Sequence, residues 1–310
     1  MSLDRAVVFS GTSHKDFAAE VASCLKVDLG KIDIHQFPDG EIGVQIIENV
    51  RGRDVFVIQS IARHPNFYLM ELLIIVDALK RASAGSITAV IPYYGYCRQD
   101  RKDKGRVPIT AKLVADMLQV AGVDRLLTMD LHAGQVQGFF DIPVDNLDAR
   151  SLFIERIREM IPGCIVVAPD VGSIRIADLM ARDLGTEFAI VDKRRISVGQ
   201  VKVAALIGSV KGKDVVLIDD MYSTGATLKA ASLACKEAGA KRIVAVVTHG
   251  LLLTDPFENS AIEKLLVTNT VPPKDQLERS KVEVVSAASL FGKAIESIVE
   301  SASISSLFKK

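Results

Sequence analysis

Cysteine is scarce in this chain of 310 residues: Cys24, Cys97, Cys164 and Cys235 stand far apart, and no two make a Cys-x-x-Cys pair. The spacing suggests neither a zinc module nor a disulfide framework, and it suits a reducing compartment. Net charge is also missing, since 38 basic residues balance 38 acidic ones. That argues against a nucleic-acid binder held by bulk electrostatics, while leaving local anion pockets open. Long apolar runs are absent too. The stretch 72–79 contains Asp77 and falls well short of the roughly 20 residues a membrane helix needs. Asp4 and Arg5 come before any apolar run, so no signal peptide is expected. No segment is low-complexity. The expectation is a soluble, cytoplasmic protein with neither membrane nor nucleic acid as partner.

What the chain does have is an ordinary globular composition, 49% hydrophobic and 25% charged, and a length that suits two domains. Short runs rich in Val and Ile, at 6–10, 55–60, 87–92, 126–130, 165–168, 188–191, 215–218, 243–247 and 265–268, are continuous rather than alternating. That is the pattern of parallel strands covered on both faces. Helical periodicity fills several gaps, at 69–81, 111–120, 174–184 and 228–238, with Gly122, Gly185 and Gly239 at C-cap positions. The alternation predicts an α/β fold of two similar domains, each a mainly parallel sheet flanked by helices. Ala121-Gly122-Val123-Asp124-Arg125-Leu126 matches Ala238-Gly239-Ala240-Lys241-Arg242-Ile243, and the same offset of 117 residues relates Thr110 to Thr227 and His132 to His249. An internal duplication is expected, with domains over 1–147 and 148–310. The segment 196–207, rich in Val and containing Gly199, is expected to form a β-flap or hairpin.

One motif carries most of the chemistry. In Val215-Val216-Leu217-Ile218-Asp219-Asp220-Met221-Tyr222-Ser223-Thr224-Gly225-Ala226-Thr227 an apolar strand ends in two acids, and a small hydroxyl-rich turn opens a helix. Such a turn presents backbone N–H groups, Ser and Thr hydroxyls and a helix N-terminus to a phosphate. The acids suit the vicinal hydroxyls of a sugar, because a carboxylate accepts two hydrogen bonds from a diol, and they also suit a metal.

This loop resembles the phosphoribosyl-binding loop shared by the type I phosphoribosyltransferases and the ribose-phosphate diphosphokinases, and it does not separate the two. Further stretches do: Phe37-Pro38-Asp39-Gly40-Glu41, Tyr96-Cys97-Arg98-Gln99-Asp100-Arg101-Lys102, Asp130-Leu131-His132-Ala133-Gly134-Gln135, Val167-Ala168-Pro169-Asp170 and Asp192-Lys193-Arg194-Arg195. They follow one another in the order of the ribose-phosphate diphosphokinases over nearly the whole chain. The resemblance implies a type I phosphoribosyltransferase-like fold. It implies transfer of the β,γ-diphosphoryl group of MgATP to the 1-hydroxyl of ribose 5-phosphate, giving phosphoribosyl diphosphate and AMP. A transferase would instead consume that product, and a third reading is a non-catalytic, synthase-like regulatory partner.

The same resemblance implies site residues. ATP would be met by Phe37, Asp39, Gly40 and Glu41 of a neighbouring subunit and by Arg98 and Gln99. Ribose 5-phosphate would be held by Arg195, Asp219, Asp220, Ser223, Thr224, Gly225, Ala226 and Thr227. Lys193 and Arg195 would be catalytic. In an extended segment they would share a face. His132 and Asp170 would serve Mg²⁺, two ions per site, although magnesium prefers oxygen ligands. A homohexamer is implied as well. Three features depart from the pattern: Ser223 stands where relatives often have Asp, Asn66-Phe67-Tyr68 replaces a polar Asn-Asp-Asn, and the stretch between His249 and Ala261 is short.

Overall fold

The computed structural model describes residues 3–197, 200–273 and 280–308, apart from the side chains of residues 193–204, 306 and 308. The chain divides into two compact units. Unit 1 holds Met1–Asp148, Thr270–Pro272 and Ala287–Lys310; unit 2 holds Ala149–Asn269 and Pro273–Ser286. This corrects the expected second domain over 148–310, because the last 24 residues belong with the first unit.

Unit 1 runs β1 (Ala6–Ser10), α1 (Lys15–Leu25), β2 (Ile32–Gln36), β3 (Ile42–Ile46), β4 (Asp54–Ile58), α2 (Pro65–Arg81), β5 (Ser86–Ile91), α3 (Thr110–Ala121), β6 (Arg125–Met129) and β7 (Val144–Leu147). Unit 2 runs α4 (Arg150–Met160), β8 (Ile165–Ala168), α5 (Ile174–Leu184), β9 (Phe188–Ser197), β10 (Gln200–Ile207), β11 (Val215–Tyr222), α6 (Ala226–Glu237), β12 (Ile243–Gly250), β13 (Lys264–Thr268) and β14 (Val282–Val285); α7 (Ala288–Val299) then returns to unit 1. The unit 1 sheet has the order β1-β4-β5-β6-β7, all parallel, and β2–β3 is a separate antiparallel hairpin. The unit 2 sheet has the order β10-β9-β8-β11-β12-β13-β14 and is parallel except at its β9–β10 ribbon.

The apolar runs form these strands because both faces are covered: Val55–Ile58 and all eight residues of β12 are buried. Crossover helices cap the faces, and the left-handed Gly185 stops α5 as its missing Cβ allows. β11 runs four residues beyond the expected 215–218. β12 continues opposite it, pairing Asp219 with Val247, Met221 with His249 and Tyr222 with Gly250, so the acids belong to the strand rather than follow it. β9 likewise runs past 191, paired with β10.

The offset of 117 residues is out of step with this topology. It equates β6 with β12, yet β6 lies two strands from β4 while β12 lies next to β11. By place in the sheet, β1, β4, β5, β6 and β7 answer to β8, β11, β12, β13 and β14. The local likeness of helix, glycine turn and strand reflects a shared α/β grammar one unit out of register. What favours a duplication is the strand order shared by β1-β4-β5-β6-β7 and β8-β11-β12-β13-β14. Among the described residues no helix is long and apolar enough to cross a membrane.

Candidate active site

In open α/β sheets ligands collect at the carboxyl ends of strands, where the winding reverses. In unit 2 that place lies between β8 and β11. After β8 the chain makes a single 3-10 turn, capped by Asp170, whose carboxylate accepts from Gly172 N at 3.0 Å. The turn brings the buried Ser173 hydroxyl to 2.7 Å from Asp219 Oδ1 and 3.3 Å from Asp170 Oδ1. One hydroxyl thus stands between two carboxylates from neighbouring strands, with Asp220 next along β11. Asp219 Oδ1 also accepts from Asp220 N at 3.0 Å. Burial of the carboxyl, then the charges of Asp220 and Asp170, raise the Asp219 pKa well above the usual carboxylate range, against the Ser173 hydrogen bond that lowers it.

The phosphate-type loop follows. Its carbonyl edge is tied down: Tyr222 O accepts from Leu252 N at 3.0 Å and Ser223 O from Leu253 N at 2.9 Å, and Thr224 O accepts from Thr254 Oγ1 at 2.7 Å. In a trans peptide N–H and C=O point opposite ways, and no described peptide is cis. The N–H groups of Ser223, Thr224 and Gly225 therefore point away from residues 252–254. Gly225 caps α6 with φ 72° and no side-chain cap, and the first N–H groups of a helix have no intrahelical acceptor. The loop from Ser223 through Ala226 to Thr227 could thus hold an anion beside a group of acids. Tyr222, fully buried, wedges its ring under Gly225 and reaches Asp255 O with its hydroxyl. Ser173, Tyr222 and residues 252–254 were not anticipated as site residues. Ser173 was within reach of the Asp-x-x-Ser spacing, because such a cap commonly engages the residue three further on. Nothing local marks residues 252–254, which are neighbours only in space.

The other expected residues are placed as follows. Lys193 and Arg195 lie on β9, opposite Val203 and Val201 of β10 with no register shift between them; their side chains lie outside the described residues. In unit 1, Phe37, Asp39, Gly40 and Glu41 form the exposed tip of the β2–β3 hairpin. Phe37 N donates to Glu41 O at 2.8 Å, Gly40 sits at φ 97°, and Phe37 is 47% exposed. Arg98 and Gln99 lie exposed after β5, where Gln99 Oε1 accepts from Thr110 Oγ1 and Gln99 O from Ala111 N. That ties the loop to the start of α3. His132 follows β6, exposed, two residues after Asp130 with its φ of 38°. Asn66, the residue of that stretch that keeps the polar pattern, accepts a hydrogen bond from Tyr96 in the Arg98 loop. Unit 2 therefore brings together Asp170, Asp219, Asp220 and residues 223–227. Unit 1 sets Arg98, Gln99 and His132 at the carboxyl ends of β5 and β6.

Magnesium would be served by oxygen atoms, and the acids around Ser173 supply them. Among the described residues no group of three or more His, Cys, Asp or Glu forms a metal cage. Burial first, and then the charges of Asp220 and Asp170, raise the Asp219 pKa, and a cation would relieve the second of these.

Two doubly wound units, one carrying an acid-flanked anion loop, define a transferase of the type I phosphoribosyltransferase-like class. Family models cover both units: the N-terminal domain of ribose phosphate pyrophosphokinase over residues 6–122, and the phosphoribosyl synthetase-associated domain over residues 164–309. The chain belongs to the ribose-phosphate pyrophosphokinase family. It is 47% identical to a ribose-phosphate pyrophosphokinase of Wolinella succinogenes over 97% of this chain and 98% of that one. A Thermotoga maritima relative of the same name is 48% identical, over 97% and 98%. The crystal structure of phosphoribosylpyrophosphate synthetase from Mycobacterium smegmatis superposes with a TM-score of 0.90 at 39% identity, covering 96% of this chain and 100% of that one.

Proposed function

We propose that the unit 2 cradle is the ribose 5-phosphate site of a ribose-phosphate diphosphokinase. The reaction transfers the β,γ-diphosphoryl group of ATP to the 1-hydroxyl of ribose 5-phosphate, giving phosphoribosyl diphosphate and AMP. The observation that carries the assignment of the site is the pairing of acids and anion loop on one strand, β11. Asp219 and Asp220 accept from the 2- and 3-hydroxyls of the pentose. The N–H groups of residues 223–227 and the hydroxyls of Ser223, Thr224 and Thr227 receive its 5-phosphate. Ser223, where relatives often have Asp, can still donate from its hydroxyl to the phosphate.

The sugar 1-hydroxyl attacks the β-phosphorus in line and gives up its proton to solvent, the bond from the β-phosphorus to the α,β-bridging oxygen breaks, and AMP departs with that oxygen. Positioning and charge stabilisation supply the catalysis. Lys193 and Arg195 neutralise the negative charge that builds on the diphosphoryl group and AMP. Arg98 forks onto phosphate oxygens, Gln99 holds the nucleotide through its amide N–H₂, and Phe37 stacks on adenine with Asp39, Gly40 and Glu41 at its edge. Asp170 and His132 are the residues we assign to Mg²⁺, which when bound neutralises phosphate charge. A homohexamer in which Phe37 serves a neighbouring subunit fits the exposure of the hairpin tip. A cytoplasmic setting fits the four free thiols.

The deciding experiment is mass-spectrometric detection of phosphoribosyl diphosphate and AMP after the purified chain meets ATP, ribose 5-phosphate and Mg²⁺. Lys193→Ala should lower turnover by about 10² or more, as loss of a preorganised charge stabiliser does. Unchanged turnover in that variant would remove Lys193 from the mechanism.

A further inference from the structure

Each sheet reverses its winding at one place. In unit 1 the chain leaves β1 through α1 toward Leu29, which bridges Val8, and leaves β4 through α2 toward β5 on the other side. Right-handed crossovers then put α1 and α2 on opposite faces, and a crevice is expected at the carboxyl ends of β1 and β4. The equivalent place in unit 2, at β8 and β11, is where Asp170, Ser173 and Asp219 gather. Unit 1 fills its crevice from within. Glu71, on the second turn of α2, is 0% exposed. Its Oε1 accepts from Thr12 N at 2.7 Å and from Gln59 Nε2 at 2.6 Å, and its Oε2 accepts from Thr12 Oγ1 at 2.6 Å. Gln59, also 0% exposed, accepts in turn from Ser13 N at 3.1 Å.

All three donors to Glu71 are neutral, namely a backbone N–H, a hydroxyl and an amide, and they converge on two oxygens as donors do around a bound anion. A buried charge is costly unless hydrogen bonds satisfy it, so an apolar side chain of the same size would have been the cheaper filler had the site needed only volume. No slack is left beside it: a Cβ on Gly11 would lie 2.3 Å from Gln59 Oε1 and 2.9 Å from Glu71 Oε1.

We propose that Glu71 is an internal ligand, occupying with its own carboxylate an anion subsite at the switch point of unit 1. Closure of this crevice accounts for the place of Arg98, Gln99 and His132, which stand off β5 and β6 rather than β1 and β4. It also leaves one switch-point crevice per chain for a phosphorylated sugar, a consequence that rests on the reading of unit 2 given above.

The test uses the full chain and two variants. Thermal unfolding is followed in sodium chloride and in sodium formate at equal ionic strength. Glu71→Ala should lose on the order of 10 °C in midpoint, from three hydrogen bonds to a charge, and formate should restore several degrees in that variant beyond its effect on wild type. Equal responses to formate would overturn the proposal. Glu71→Gln keeps the volume, excludes formate and sets an amide N–H₂ among donors, so it should lose stability with no formate response, and it reports even if Glu71→Ala fails to fold. Wild-type stability in Glu71→Gln would also overturn the proposal. Calorimetric titration of wild type with ribose 5-phosphate should give one molecule per chain. Two would overturn the closure, whereas none would overturn the reading of unit 2 and leave the formate result to decide on Glu71.

Discussion

At Gly225 the backbone holds φ 72°, and a Cβ placed there would lie 2.0 Å from the Tyr222 ring. Gly225→Ala must therefore move either the loop or a ring buried beneath it. Displacing a substrate-positioning loop by about 1 Å costs roughly 10²-fold in rate, so kcat/KM for ribose 5-phosphate should fall by about that factor, with a smaller change in the KM for ATP. Steady-state kinetics with each substrate varied checks both. Asp219 gives the opposite balance. Its pKa is raised in the fold by burial and by the Asp220 charge. The folded state then holds the proton more tightly than the unfolded chain, so this group's contribution is fully present below the ordinary carboxylate pKa and is lost as pH rises toward the folded value. Asp219→Asn keeps an oxygen for Ser173 and Asp220 N. It should raise the melting temperature of the ligand-free protein at pH 7 by a few degrees, lose that advantage near pH 4, and abolish turnover. A scan of melting temperature against pH reads this directly, and a lower midpoint at pH 7 would contradict it. The acids and the glycine were legible because strand, acids, hydroxyls and glycine are contiguous. Ser173 was missed because its partner Asp219 lies 46 residues away.

At the scale of elements, legibility followed burial. Strands covered on both faces announced themselves as apolar runs. The edge element β14, with its half-exposed pattern, did not, and neither did the hairpin β2–β3, whose polar tip reads as a plain turn. β14 pairs with β13 over four residues and is held further by charge. Glu283 accepts from Arg156 of α4, with Nη2 to Oε2 at 3.0 Å, and pairs with Lys264 of β13 at 2.6 Å. The hydrogen bond from Arg156 leads the causes that lower the Glu283 pKa. For a depressed carboxyl the stabilisation is present above the unfolded pKa and lost as pH falls through the folded one. Glu283→Gln should therefore melt a few degrees below wild type at pH 7, and the gap should close below about pH 4, as screened, partly exposed networks allow. Calorimetry at the two pH values, read on the unit 2 transition, decides it.

Over the whole molecule the sequence predicts two contiguous domains, and the chain departs from that at Thr270–Pro272 and from Ala287 onward, chiefly in its last helix. Nothing local marks α7 as belonging to unit 1. Its apolar face suits any core, and only contact with α1 decides its place. Phe291 meets Phe17 edge to face at 5.5 Å between ring centroids. A Cβ on Gly292 would lie 3.1 Å from the Cβ of Cys24, so the two helices lie close at that point. Leu290, Phe291 and Ile295 are buried there. At about 1.5–3 kcal/mol for each large apolar side chain, their loss would remove about 5–9 kcal/mol. That is comparable to the whole stability of an ordinary domain. A chain ending at residue 286 should therefore lose amide-exchange protection throughout β1, α1 and β4 while β8, β11 and β12 remain protected. Hydrogen exchange with peptide-level resolution separates this from the contiguous division, on which the cut would expose β12 and β13 first. Because the anion loop hangs on β11, the truncated chain should still bind ribose 5-phosphate while making no AMP from ATP.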